Sequence, residues 1–191
     1  MSEPDASAQV LYVERWNDLR RKPVKGYSWL SPEEAAERYA TRRGDLALVD
    51  GTRGDDGEHH PRWVIGVAHN GIRVQFFTPR GGSVWRTVDY DARGERLWRW
   101  ITAEYTYADD DRFHPEFESV QTYTAKLEPD GTGYVDFNDK SKATVDRARL
   151  TDAPVSGFWL DWPEFGHWED LANPDYGLRD DPGPTLGGPA Q

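Results

Sequence analysis

The stretch WVIGVAHNGIRVQFFT, residues 63–78, decides the fold class. Two apolar, β-branched and aromatic runs flank the dipeptide Asn70-Gly71, the strongest short-range signal for a β-hairpin. Trp63 to His69 reads as one strand and Ile72 to Thr78 as its partner, with Ile72, Val74 and Phe76 on a common face.

The same period-two pattern continues outward. Downstream, Val84 to Tyr90 follows with Val84, Val88 and Tyr90 on one side, then a turn at Asp91-Ala92-Arg93-Gly94. Arg96 to Tyr107 reads as a long strand that sets Leu97, Ile101, Ala103 and Tyr105 opposite Trp98, Trp100, Thr102 and Glu104. Phe117 to Leu127 forms a second long strand before Pro129-Asp130-Gly131, and Gly133 to Phe137 and Ala143 to Leu150 flank the polar turn 138–141. Upstream, Leu46 to Val49 is a short apolar run. Before it lies one helix: Ser31 is its expected N-cap, Pro32 its first position, Glu34 the capping-box partner, and Gly44 its stop. Ala35, Ala36, Tyr39 and Ala40 make its apolar stripe. Strands joined by short turns pair with their neighbours, so the expected fold is α+β, mainly β: an antiparallel β-meander of about seven or eight strands with one N-terminal helix.

A chain of 191 residues fits one domain. We place it at residues 9–177, between a polar tail (1–8) and a Pro/Gly-rich tail (178–191). The absence of cysteine excludes disulfides and thiolate chemistry. No apolar run approaches a membrane span, and MSEPDASAQ lacks the features of a signal peptide, so no membrane association and a cytoplasmic location are expected. The net charge is −11, unevenly spread: residues 1–100 carry 16 basic and 15 acidic side chains, residues 101–191 carry 7 and 19. Phosphate binding needs Lys and Arg, so direct nucleic-acid binding is not expected. The basic segment Gln9 to Gly26, with Arg15, Arg20, Arg21, Lys22 and Lys25, reads as a solvated stretch.

Several clusters hold chemically capable residues without the spacing that chemistry needs. Asp55 to His60 combines carboxylates with imidazoles, but adjacent side chains in an extended segment point apart. Asp109, Asp110 and Asp111 lack the spacing of a calcium loop. Glu104, Glu116 and Glu118 on neighbouring strands could do acid–base work only if burial separated their pKa values. Ser83 follows two glycines in an ordinary loop context, and His69 and His114 are the remaining titratable options. No catalytic residue, cofactor or metal is assigned.

The most unusual segment is GFWLDWPEFGHWEDL, residues 157–171. Pro163 and Gly166 prevent one long regular element. Aromatics alternating with acids are what a contact surface for a basic partner contains, whereas Phe158, Trp159 and Trp162 could equally cap the sheet as core. An acidic, cysteine-free, Trp-rich meander with PEFGHWEDL near its end resembles, over residues 45–177, the bacterial immunity proteins of polymorphic toxin systems. That resemblance implies a small cytoplasmic protein that binds and blocks a basic toxin enzyme, and it carries over no individual residue. The expected contact residues are Trp159, Trp162 and Trp168 as apolar anchors, with Asp161, Glu164, Glu169 and Asp170 pairing with Arg or Lys of the partner. The alternative is a small-ligand or carbohydrate-binding β domain with Trp98, Trp100 or Trp159 lining a pocket.

Overall fold

Alternating apolar positions need a partner strand on each edge and cover on at least one face, and this chain supplies both mainly from its own sequence neighbours. The computed structural model describes residues 9–42 and 44–178. Strands Val10–Val13 (β1), Trp16–Asn17 (β2), Lys22–Pro23 (β3) and Trp29–Leu30 (β4) precede the helix Pro32–Thr41 (α1). Then follow Leu46–Asp50 (β5), Trp63–Ala68 (β6), Gly71–Phe77 (β7), Val84–Arg93 (β8), Arg96–Thr106 (β9), Gln121–Leu127 (β10), Gly133–Asp139 (β11), Val145–Leu150 (β12) and Trp159–Asp161 (β13). The eight strands β5 to β12 lie side by side in chain order, all antiparallel, as the expected meander. The sheet extends beyond them to eleven strands, with β1 and β4 added outside β5 and β13 joined to β9. No helix among the described residues is long and apolar enough to cross a membrane.

The basic segment 9–26 is therefore not simply solvated. Val10–Val13 pairs with both β5 and β4, and Val13 is fully buried. Four residues are too short to announce a strand, but all four pair with β5, and Tyr12 and Val13 pair with β4 on the other edge. The tails fall outside the described residues except for Leu178, and so does Arg43.

Helix α1 forms as its caps dictate. Ser31 Oγ accepts the Glu34 N–H at 3.2 Å, and the Glu34 carboxylate accepts the Ser31 N–H at 2.8 Å. The left-handed cap residue is Arg42 (φ 49°), two positions before the expected Gly44. Ala35 is the helix residue buried against the sheet.

The β6–β7 hairpin also differs in detail. Ala68 pairs with Gly71, so His69 and Asn70 make the turn and Gly71 opens the strand. Gly71 answers a close approach instead: a Cβ there would lie 2.1 Å from the Tyr90 carbonyl oxygen in β8.

One face of the sheet carries Leu48, Ile65, Val74, Val88, Tyr90 and Leu97, covered by α1 and by residues of the 160–171 segment. The other carries Ala47, Val49, Val64, Phe77 and Val84, with Val13 packed against them. Two β-bulges break the expected alternation. In β8, Phe76 pairs with Arg86 but Phe77 with Val84, which leaves Trp85 unopposed and turns Val84 to the face opposite Val88 and Tyr90. In β9, Asp89 pairs with Ile101 but Tyr90 with Arg99, which leaves Trp100 unopposed. The extra residue inverts the facing of everything after it. Leu97 therefore sits in one core, while Tyr105, expected on the same face, packs against the other.

Candidate functional site

After β12 the chain returns across the sheet. A helical turn at Ser156–Phe158 delivers β13, which pairs Trp159 with Trp98 and Asp161 with Arg96 at the start of β9. Arg96 Nε donates to Asp161 Oδ1 at 2.7 Å. Pro163 then ends the strand, and the Tyr39 hydroxyl of α1 donates to the Pro163 carbonyl at 2.7 Å. The cap geometry of α1 lays the Arg42 guanidinium over the Trp162 ring, 3.9 Å from its centre. Phe165 stacks on Tyr12 of β1 at 5.3 Å. Trp168 meets Tyr39 and Phe165 edge-on at 5.1 and 5.5 Å.

This arrangement divides the expected contact residues. Trp168 is 3% exposed and belongs to the core with Leu171, so it is not a surface anchor. A large apolar ring next to buried neighbours gains more from burial than from solvent contact. Trp159 and Trp162 are half-buried. Together with Asp161, Glu169, Asp170, Arg96 and Tyr176 they line a single cleft of about 310 Å³. Glu164 lies outside that lining, exposed, with its carboxylate 3.8 Å from His167. Three carboxylates and one guanidinium line the cleft, and that guanidinium is already paired with Asp161. Burial, and then the Asp170 and Asp161 carboxylates, push the Tyr176 hydroxyl above its usual pKa, as expected where negative charge converges. The Trp162 and Trp159 rings already carry Arg42 and Arg96, so a further guanidinium or ammonium group would be held by the acids, Glu169 and Asp170 foremost.

The other clusters are structural. His60 bonds Asp56 at 3.1 Å, and Arg21 lays its guanidinium against the same ring, which places a cation where a metal would have to sit. Among the described residues no group of three or more His, Asp or Glu side chains is arranged to hold a metal ion. Asp110 accepts the N–H groups of Arg80 and Gly81, tying two loops together. Ser83 is buried and its hydroxyl accepts the His114 N–H at 2.7 Å. Glu116 and Glu118 are not on a strand: they form a helical turn, because the strand begins only at Gln121. Glu118 bonds His114, whereas Glu104 bonds Arg86, so these carboxylates do not converge. His69 is exposed, and Trp98 is fully buried, its indole N–H donating to the Leu127 carbonyl at 2.8 Å.

Sequence reasoning passed over the arginines. Arg86 and Arg99 are 6% and 2% exposed, far below the usual exposure of this residue type. No composition signal marks them, because their burial depends on the two bulges. Comparison with protein-family models, with curated proteins and with solved structures finds no match in any of the three.

Proposed function

We propose that this chain is a binding protein that receives basic side chains of a protein partner in the cleft beside β13, in the manner of an immunity protein occluding a basic toxin enzyme in the cytoplasm. The observation that carries the reading is the convergence of Asp161, Glu169 and Asp170 with Trp159 and Trp162 around one hollow. Charge-assisted hydrogen bonds to these acids strengthen when an incoming Arg excludes water there. The acidic half of the chain adds long-range attraction, which accelerates encounter and is screened by salt.

The test pairs the full chain with the polypeptide encoded by the neighbouring gene and measures association by stopped-flow. Capture should slow by roughly tenfold or more between low and high salt. Asp161→Asn with Glu169→Gln and Asp170→Asn should slow it at low salt and speed dissociation. A rate flat across salt and indifferent to the triple substitution, or no complex at all, would overturn the reading.

A further inference from the structure

The third edge relation of β9 creates a second, chemically opposite hollow. Strand β10 pairs with β9 only from Ile101 onward, and β13 pairs with it only up to Trp98. Arg99 and Trp100 lie in the fork between them, and Trp100 is the bulge residue. The bulge matters for facing. Residues three apart on a regular strand point to opposite faces, but across this bulge Arg99 pairs with Tyr90 and Thr102 with Val88, which share a face. Arg99 Nε consequently reaches Thr102 Oγ1 at 3.0 Å. Arg86, two residues before Val88, looks into the same space.

Two guanidinium groups thus line one cleft of about 360 Å³, walled by Trp100, Tyr123, Leu127 and Phe158. Their charges are unequally matched. Arg86 meets Glu104 at 3.1 Å and Asp175 at 3.3 Å, yet its Nε has no acceptor among the described residues. Arg99 bonds only neutral oxygens, Thr102 Oγ1 and, at 2.7 Å, the Tyr176 carbonyl. No carboxylate among the described residues comes within ion-pair distance of it. Burial and the neighbouring Arg86 both disfavour the charge on Arg99, whereas Glu104 and Asp175 attract it from beyond ion-pair distance. The Trp100 indole N–H is also buried without an acceptor among the described residues. The hollow therefore offers donors and positive charge at one end and aromatic and aliphatic surface along its walls.

We propose that this fork is a binding site for a small organic oxyanion, a carboxylate or phosphate monoester carrying an aromatic or aliphatic body. The anion gives Arg99 the direct ion pair that Glu104 and Asp175 give to Arg86, and the body lies against Phe158 and Tyr123. Glu104 acts as an internal competitor, since it occupies one edge of Arg86. The site is separate from the acidic cleft and needs no protein partner, so its test stands apart from that of the inhibitor reading.

Isothermal titration of the full chain in an anion-poor buffer decides it, with phenyl phosphate, benzoate, inorganic phosphate and benzyl alcohol as probes. Phenyl phosphate or benzoate should bind saturably and benzyl alcohol should not, and the stronger of the two anions identifies the head group. Arg99→Lys keeps the charge but loses the planar fork, and should weaken the preferred anion by about tenfold or more. Glu104→Gln, at a half-exposed position, should tighten it several-fold by removing one of the two carboxylates that pair with Arg86. If Arg99→Lys fails to fold, the Glu104→Gln comparison still decides. No saturable binding of either organic anion at millimolar concentration, equal binding of benzyl alcohol, or unchanged affinity in Glu104→Gln would overturn the proposal. Inorganic phosphate binding as tightly as phenyl phosphate would overturn the organic body.

Discussion

Replacing Trp168 with alanine should unfold the protein far more easily, although the residue lies in a segment rich in acids. Burying a tryptophan removes up to about 250 Å² from water, worth about 6 kcal/mol at 25 cal/mol per Å². Aromatic-to-alanine changes in cores cost about 3–5 kcal/mol once the surroundings relax. Trp168 is 3% exposed and touches Tyr39 and Phe165, so its cost belongs in that range. For a chain of this length that corresponds to a fall in Tm of about 10 °C. One feature separates this from a generic core loss: the Trp168 indole N–H has no acceptor among the described residues. An unsatisfied buried donor costs about 1–3 kcal/mol, so Trp168→Phe, which removes it, should cost less than half as much as Trp168→Ala. Urea denaturation followed by far-ultraviolet circular dichroism measures both changes. If Trp168→Ala stays within about 1 kcal/mol of the parent at unchanged m-value, the 160–171 segment is not docked on α1 and the acidic cleft has no fixed floor. Phenylalanine as damaging as alanine would refute the account of the indole N–H.

His114 gives a pH signature. Its ring is held between Asp109 Oδ1 at 2.9 Å and Glu118 Oε2 at 3.1 Å, and the bond to Asp109 raises its pKa above the usual 6.5. The folded-state pKa exceeds the unfolded one, so this stabilisation is full below pH 6.5 and is lost as pH rises through the raised value. His114→Gln should therefore flatten the decline in urea midpoint between pH 6 and 9, and a parallel decline in parent and variant would count against it. Gly82 is left-handed at φ 66°, and a Cβ there would lie 2.6 Å from the Arg21 guanidinium. Gly82→Ala should cost about 1–2 kcal/mol for the backbone alone, and substituting Arg21 by alanine first should remove any excess over that figure.

The meander was legible because its evidence is local. Period-two runs such as Ile72, Val74 and Phe76 and turn residues between them are properties of contiguous sequence, and all eight expected strands are present. The helix was legible for the same reason, down to the reciprocal Ser31–Glu34 bonds. What escaped was relational. Trp29–Leu30 and Trp159–Asp161 are too short to carry a period and exist as strands because β1 and β9 offer edges. The acidic cleft was half legible: the acids and tryptophans of 159–170 were visible as a cluster, but the sorting of Trp168 into the core depends on Tyr39 and Phe165.

The bulges bear most directly on how charge is distributed. A bulge is defined by the register of the partner strand, so nothing in the residues Arg99, Trp100 and Ile101 announces one. Without it, Arg99 and Thr102 would face apart, and Arg99 would lose the oxygen that holds its Nε. With it, positive charge is turned inward at the fork while Asp161, Glu169 and Asp170 remain at the surface. Net charge over residues 101–191 describes the outside of the molecule and predicts attraction to basic partners. It is silent about two guanidinium groups buried behind Glu104, and these give the same sheet a hollow of the opposite sign. An acidic composition is therefore compatible with specific recognition of an anion, provided that the anion is small enough to enter the fork and leave the surface acids behind.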